Sequence, residues 1–342
     1  MHWSLQSRYG NGKGNAPKSA RSNHANDDRR LRTHCKEKVV MSISDVEVFP
    51  VEVQEARLQI NQQLDQYTRF EGTDTTHDCP NRLKEAIRYS LLSNGKRLRP
   101  LLVLAANHVC GGNMQTAIGA ACAVEMIHTY SLIHDDLPAM DDDDLRRGQP
   151  TSHIQFDEAT AILAGDALLT MAFEVLARDT PPEVAARCCQ LLAKAAGPTH
   201  LVGGQVEDLA AQFSAPDLDH LQKIHSCKTG ALLTASLELG GIIAGCTNDM
   251  LQALRKYGND IGLAFQIVDD ILDLHGEEGK MGKRTGKDTE HGKLTYPFVI
   301  GLEASQRLAR EKVDSAIASL QVFGPAGDPL VLFANFVVDR TR

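Results

Sequence analysis

The sequence predicts an all-α fold, a single large helical bundle, and three observations carry that expectation. Leu, Ala, Ile and Val recur at three- and four-residue spacing almost throughout from Val51 onward, which is the period of an amphipathic helix. Strand signals, meaning β-branched alternation bounded by turns, are nearly absent. Breakers at Gly111–Gly112, Pro181–Pro182, Pro198 and Gly324–Pro325 cut the pattern into helix-sized segments. In order, these are Glu55–Tyr67, Arg82–Ser93, Pro100–Val109, Ala117–Asp136, Ala159–Ala177, Pro182–Ala196 and Leu218–Ile224. Gly230–Ala244, Met250–Leu274, Pro297–Leu302, Leu308–Leu320 and Leu330–Asp339 follow. No internal repeat stands out, and bundles of this kind build sites from side chains on facing helices.

With 342 residues, 42% of them hydrophobic, the chain can bury a large core. It carries 36 Lys plus Arg against 44 Asp plus Glu, a net charge of −8. That balance, with no basic stripe interleaved with aromatics, excludes a nucleic-acid partner. The charge is uneven: residues 1–40 hold nine Lys/Arg and three Asp/Glu. Those residues are also rich in Ser, Asn and Gly and lack a period, so they read as a disordered basic leader. Residues 41–342 then form the catalytic domain. An upstream extension, with the working protein starting near Met41, is preferred over an organelle transit peptide. The eight cysteines show no CxxC pattern and several lie in apolar stretches, as reduced thiols do in a cytoplasmic protein. Ala117–Ile133 is apolar, but Glu125 and His128 interrupt it, so a buried core helix fits better than a membrane span.

Two acidic segments about 130 residues apart carry the chemistry. In the first, six aspartates fall within ten residues, Asp135 to Asp144. Asp135 and Asp136 end an apolar helix that Pro138 cannot continue, so Asp141 swings back from a turn. Packed like charges need a divalent cation with oxygen ligands. Magnesium fits, since it takes a few carboxylates and accepts phosphate oxygens. Calcium in an EF-hand would need alternating ligands, a central Gly and a closing Glu, which are missing. Arg146 and Arg147 follow at once and offer forked donors to a phosphate. In the second segment, Asp269 and Asp273 share a helix face one turn apart, with Asp270 beside them. Ionised carboxylates on a core-forming helix are costly unless paired or metal-bound. Facing each other, the two clusters could hold several magnesium ions with a diphosphate between them.

Cations surround these clusters. Asn94–Pro100 reads NGKRLRP, a cationic turn opening a helix near Pro100, where anions are favoured. His128 lies seven residues before Asp135 on roughly the same face. A satisfied core histidine is its competing reading. Gly276–Gly292 reads as a flexible Gly-rich cover, and Lys283, Lys287 and Lys293 lie in or beside it. Ordinary surface charge competes for Lys287.

The ordered set GKRLRP (95–100), DDLPAMDDDDLRRG (135–148), GGQVEDL (203–209), KTG (228–230), FQIVDDILD (265–273) and GKLTYP (292–297) resembles the trans-prenyl diphosphate synthases, from about residue 50 to the C-terminus. That resemblance implies the isoprenoid synthase bundle with a central cavity, and a homodimer. It implies three magnesium ions held by Asp135, Asp141 and Asp269, supported by Asp136, Asp270 and Asp273. Arg146, Lys228 and Lys283 would bind the phosphates of an allylic diphosphate. Lys96, Arg99, His128 and Arg147 would bind isopentenyl diphosphate, with Lys293 a further substrate contact. Thr229 and Gln266 would shield the allylic cation. Tyr130 is five residues before Asp135, about 7.5 Å at 1.5 Å per residue, and a ring there should close the pocket early. That feature and the spacing DDxxxxD resemble bacterial-type farnesyl diphosphate synthases, so a C15 product is expected. The alternatives are a geranylgeranyl diphosphate synthase and a non-catalytic subunit of a heteromeric synthase. A terpene cyclase would lack the paired acidic motifs.

Overall fold

Several helices start at capping side chains that the sequence supplies. The computed structural model describes residues 51–70, 78–211, 217–275 and 294–339. Helix α1 spans Val51–Tyr67, α2 Asn81–Leu91, α3 Leu98–Val109 and α4 Met114–Asp135. A hairpin of β1 (Leu145–Arg146) and β2 (Gln149–Pro150) follows, then α5 (Ser152–Gln155), α6 (Glu158–Asp179), α7 (Pro182–Ala196), α8 (Leu201–Ala211) and α9 (Leu218–His225). A π-helical turn at Ser226–Gly230 leads into α10 (Ala231–Ile243) and the long α11 (Asn248–His275). The chain continues through α12 (Tyr296–Ile300), α13 (Leu302–Ser319), a 3-10 segment (Leu320–Gly327) and α14 (Asp328–Asp339).

The caps follow the expected chemistry. Asn113 accepts from the Gln115 N–H to start α4, and Asp157 accepts from the Thr160 N–H at 2.7 Å to start α6. Asp217 caps α9 in the same way, and Pro182 occupies the first turn of α7, where its missing N–H is harmless. Helix α4 is buried on nearly every side, packed against α6 and α3, while α10 lies between α3 and α11, and α13 packs on α11. One apolar cluster gathers around α4 with residues such as Ile60, Leu104 and Leu168. A second gathers around α11 with Tyr257, Ile261 and Val313.

Helix α4 is long and apolar enough to cross a bilayer, as are α6 and the run Leu302–Asp339. In α4, however, 78% of the apolar window is buried and Glu125 is paired, so it is a core helix as the sequence predicts. Beyond the hairpin and α5, which the sequence reading does not contain, three details differ from it. Helix α8 was not anticipated, because Gly203–Gly204 and three polar residues mask its period. Helix α3 opens at Leu98 rather than near Pro100, and α13 opens at Leu302 rather than Leu308. The strand-poor expectation holds, since the strands among the described residues are two residues each.

Candidate active site

At the end of α4 the chain turns back on itself as Pro138 requires. The Asp141 N–H donates to the Asp135 carbonyl at 2.8 Å, and the Asp143 N–H donates to that of Asp136 at 3.3 Å. This stacks the second half of the acidic run over the first. Burial pushes the Asp135 carboxyl up to about 6, and the charges of Asp141 and Asp136 push the same way against Lys228 and Arg146. Burial raises Asp136 too, against its bonds from Arg146. The donors are all carboxylate oxygens held against their own repulsion, the chemistry a hard, partly hydrated cation such as magnesium satisfies. Among the described residues no three His, Cys, Asp or Glu groups close into a cage.

Arg146 is placed by the hairpin. Arg147 and Gly148 both take positive φ, 54° and 76°, the geometry of a two-residue turn whose twist suits paired strands. Arg146 donates through Nε to both Asp136 oxygens at 2.7 and 2.8 Å, and its Nη2 lies 2.5 Å from Asp136 Oδ1 and 3.5 Å from Asp143 Oδ2. Asp136, grouped with the metal ligands in the sequence, thus holds a guanidinium in this structure.

The second cluster lies on α11. The Tyr296 N–H of α12 donates to Asp270 Oδ2 at 2.9 Å, and Thr229 Oγ1 donates to Gln266 Oε1 at 3.1 Å, tying the π-turn to α11. Lys228, in the same turn, reaches Asp208 of α8 at 2.7 Å and is near enough to Asp135 to oppose its protonation. Arg99 feels the charge of Asp269. Lys228 thus faces the first acidic cluster and Arg99 the second.

Beside them is a cation cluster. Arg99 Nη1 lies 3.4 Å from His128 Nε2. Burial and the charges of Arg99, Arg147, Arg146 and Arg97 hold His128 well below the usual histidine range, so it is neutral. Its lone pair accepts from the guanidinium. Arg99 Nε is buried with no hydrogen-bond partner among the described residues, a donor available to an anion. The Arg147 guanidinium lies against Gly95 and donates to Ser93 Oγ at 3.3 Å. Lys96 Nζ sits 6.0 Å from the Phe336 ring centroid. Tyr130 is 5% exposed in the core of α4. Lys283, Lys287, Lys293 and the Gly276–Gly292 cover lie outside the described residues.

This geometry has counterparts. The family model for polyprenyl synthetase matches residues 80–321. The chain belongs to that family. The synthase is 51% identical over 269 residues to geranylgeranyl pyrophosphate synthase 11, chloroplastic, from Arabidopsis thaliana, covering 76% of this chain and 75% of the relative. It is 46% identical over 297 residues to the farnesyl diphosphate synthase of Haemophilus influenzae, covering 85% and 98%. Among solved structures it resembles an FPP/GFPP synthase from Zymomonas mobilis, with TM-score 0.74, 41% identity, and 84% and 99% of the two chains covered. The synthase is thus an all-α prenyltransferase of the trans-prenyl diphosphate synthase family.

Two residues of this site carry no role in the sequence reading. Asp208, within GGQVEDL, is the partner of Lys228. Arg97, within GKRLRP, is the other. It takes φ 53° and donates to Glu125 Oε1 at 2.6 Å, to Asn61 Oδ1, and to the Leu91 and Ser93 carbonyls. The available signal was Glu125, an acid inside an apolar helix that needs a cationic partner.

Proposed function

We propose that the synthase condenses isopentenyl diphosphate with dimethylallyl and then geranyl diphosphate, giving farnesyl diphosphate by ionisation, condensation and elimination. The observation that carries the C15 reading is Tyr130, a buried ring on α4 behind Asp135. Asp135, Asp141 and Asp269 would hold magnesium, with Asp136, Asp270 and Asp273 around them, three ions being the number the resemblance implies. Magnesium, when bound there, would neutralise the leaving diphosphate. Arg146 and Lys228 orient that diphosphate, and Lys283 is proposed to assist. Arg99, Lys96, Arg147 and neutral His128 bind isopentenyl diphosphate without metal, and the buried Arg99 Nε supports this. Lys293 is a further proposed contact. The Thr229–Gln266 pair offers oxygen dipoles to the allylic cation. Proton loss goes to the departing diphosphate, so no side-chain base is assigned.

Residues 41–342 are proposed as the catalytic domain, acting as a homodimer in the cytoplasm, with residues 1–40 as a leader. The chloroplastic names of the plant relatives keep organelle targeting as the alternative. Purified protein given isopentenyl and dimethylallyl diphosphates tests the product. Farnesyl diphosphate as the main product supports the reading, and mainly C20 product sinks it in favour of a geranylgeranyl diphosphate synthase. No product until a partner is added would mean a non-catalytic subunit. Tyr130→Ala should lengthen the product.

A further inference from the structure

The Tyr130 ring is braced from a second helix. It meets the His134 ring, one turn later on α4, edge to face with centroids 5.8 Å apart, a geometry that aromatic pairs favour. His134 is itself seated in a notch of α6. A Cβ on Gly165 would lie 2.1 Å from His134 Nε2 and 2.5 Å from Cδ2, so only the missing side chain lets the ring rest there. His134 Nε2 is 3.1 Å from the Ile162 carbonyl oxygen and 4.0 Å from Asp166 Oδ1. A carbonyl only accepts, so Nε2 carries the proton and donates, which fixes the ring's orientation. Helix α6 thus holds His134, and His134 holds Tyr130.

We infer that His134, locked into the Gly165 notch of α6, is a positioning residue for product length: it keeps the Tyr130 ring across the pocket floor and so sets where growth stops. The inference rests on the reading of Tyr130 as that floor. A tyrosine ring hangs on two rotatable bonds, and a growing hydrocarbon tail can push aside a ring that nothing supports. A braced ring resists, because moving it also requires breaking the His134–Ile162 hydrogen bond and lifting the His134 ring out of its notch. Gly165 lies outside the proposed metal and phosphate sites, so it reaches specificity from the far side of the brace.

The test compares C20-to-C15 product ratios at equal conversion for the full chain and its variants, supplied with isopentenyl and dimethylallyl diphosphates. Rates respond to any disturbance near Asp135, whereas a merely structural role leaves the ratio alone. His134→Ala and Gly165→Ala are both expected to raise the ratio by about tenfold, the discrimination a modest change in an apolar pocket gives. In a Tyr130→Ala background, His134→Ala should add nothing. If Tyr130→Ala lengthens the product while both other variants keep the parental ratio, the brace is wrong and the floor stands. If Tyr130→Ala leaves the ratio unchanged, the floor reading and the brace fall together. A further lengthening by His134→Ala on top of Tyr130→Ala also overturns the brace, since His134 would then act without Tyr130.

Discussion

Breaking the Arg97–Glu125 pair damages the fold before it damages the chemistry. Both side chains are 2% exposed, and Arg97 also serves carbonyls at the end of α2 and Asn61 on α1. Removing one partner leaves a buried charge unmatched, so Arg97→Ala should lower stability by about 3–5 kcal/mol. Denaturant unfolding measures this, and Arg97→Met with Glu125→Leu should lose less than either change alone. A second residue-scale prediction concerns acid. Burial holds His225 down to about 4, with Lys228 pushing the same way and Asp208 opposing. The unfolded chain, at the ordinary 6.5, binds that proton first, so stability is lost as pH falls from about 6.5 to about 4. Asp135 acts with opposite sign: raised from 3.8 to about 6, it favours the folded state at the acid end of that window. His225→Leu should therefore flatten the acid-side fall in unfolding free energy, and parallel curves would refute the assignment. The aspartates were legible because carboxylates clustered on an apolar helix are conspicuous, and His128 because it shares a helix face with Asp135. Arg97 was not, because one-dimensional spacing hides which arginine of GKRLRP turns inward.

At the scale of elements, the π-turn at Ser226–Gly230 depends on close backbone approach. A Cβ on Gly204 of α8 would meet the Lys228 backbone N at 2.4 Å and Cα at 2.8 Å. Gly204→Ala must push the turn away, moving Lys228 and Thr229 together, and such a shift of the site costs on the order of 100-fold in kcat/KM. Steady-state kinetics check this, and activity at the parental level would show that the turn tolerates displacement. The helices were legible because their 3.6-residue period survives in the sequence. The hairpin was not, since two residues per strand give no alternation to read, and its signal was only the Arg147–Gly148 turn. Helix α8 escaped for a related reason: it approaches the π-turn closely through Gly204 and Asp208 rather than through apolar side chains.

On the scale of the molecule, two apolar clusters, one around α4 and one around α11, carry two acidic segments that the sequence separates by about 130 residues. The bundle class was legible from period alone, and the site from its carboxylates. Which cation faces which cluster was not, because Lys228 and Arg99 come near Asp135 and Asp269 only once α3, α4, α11 and the π-turn meet. Both acidic clusters are proposed to grip one diphosphate. Calorimetric titration of a non-ionising thio-analogue of geranyl diphosphate, with and without magnesium, tests this in Asp135→Ala, Asp269→Ala and the double variant. Each single substitution is expected to remove the magnesium-dependent part of binding, and the double variant to lose no more. Parental magnesium-dependent affinity in either single variant would show that the two clusters act apart.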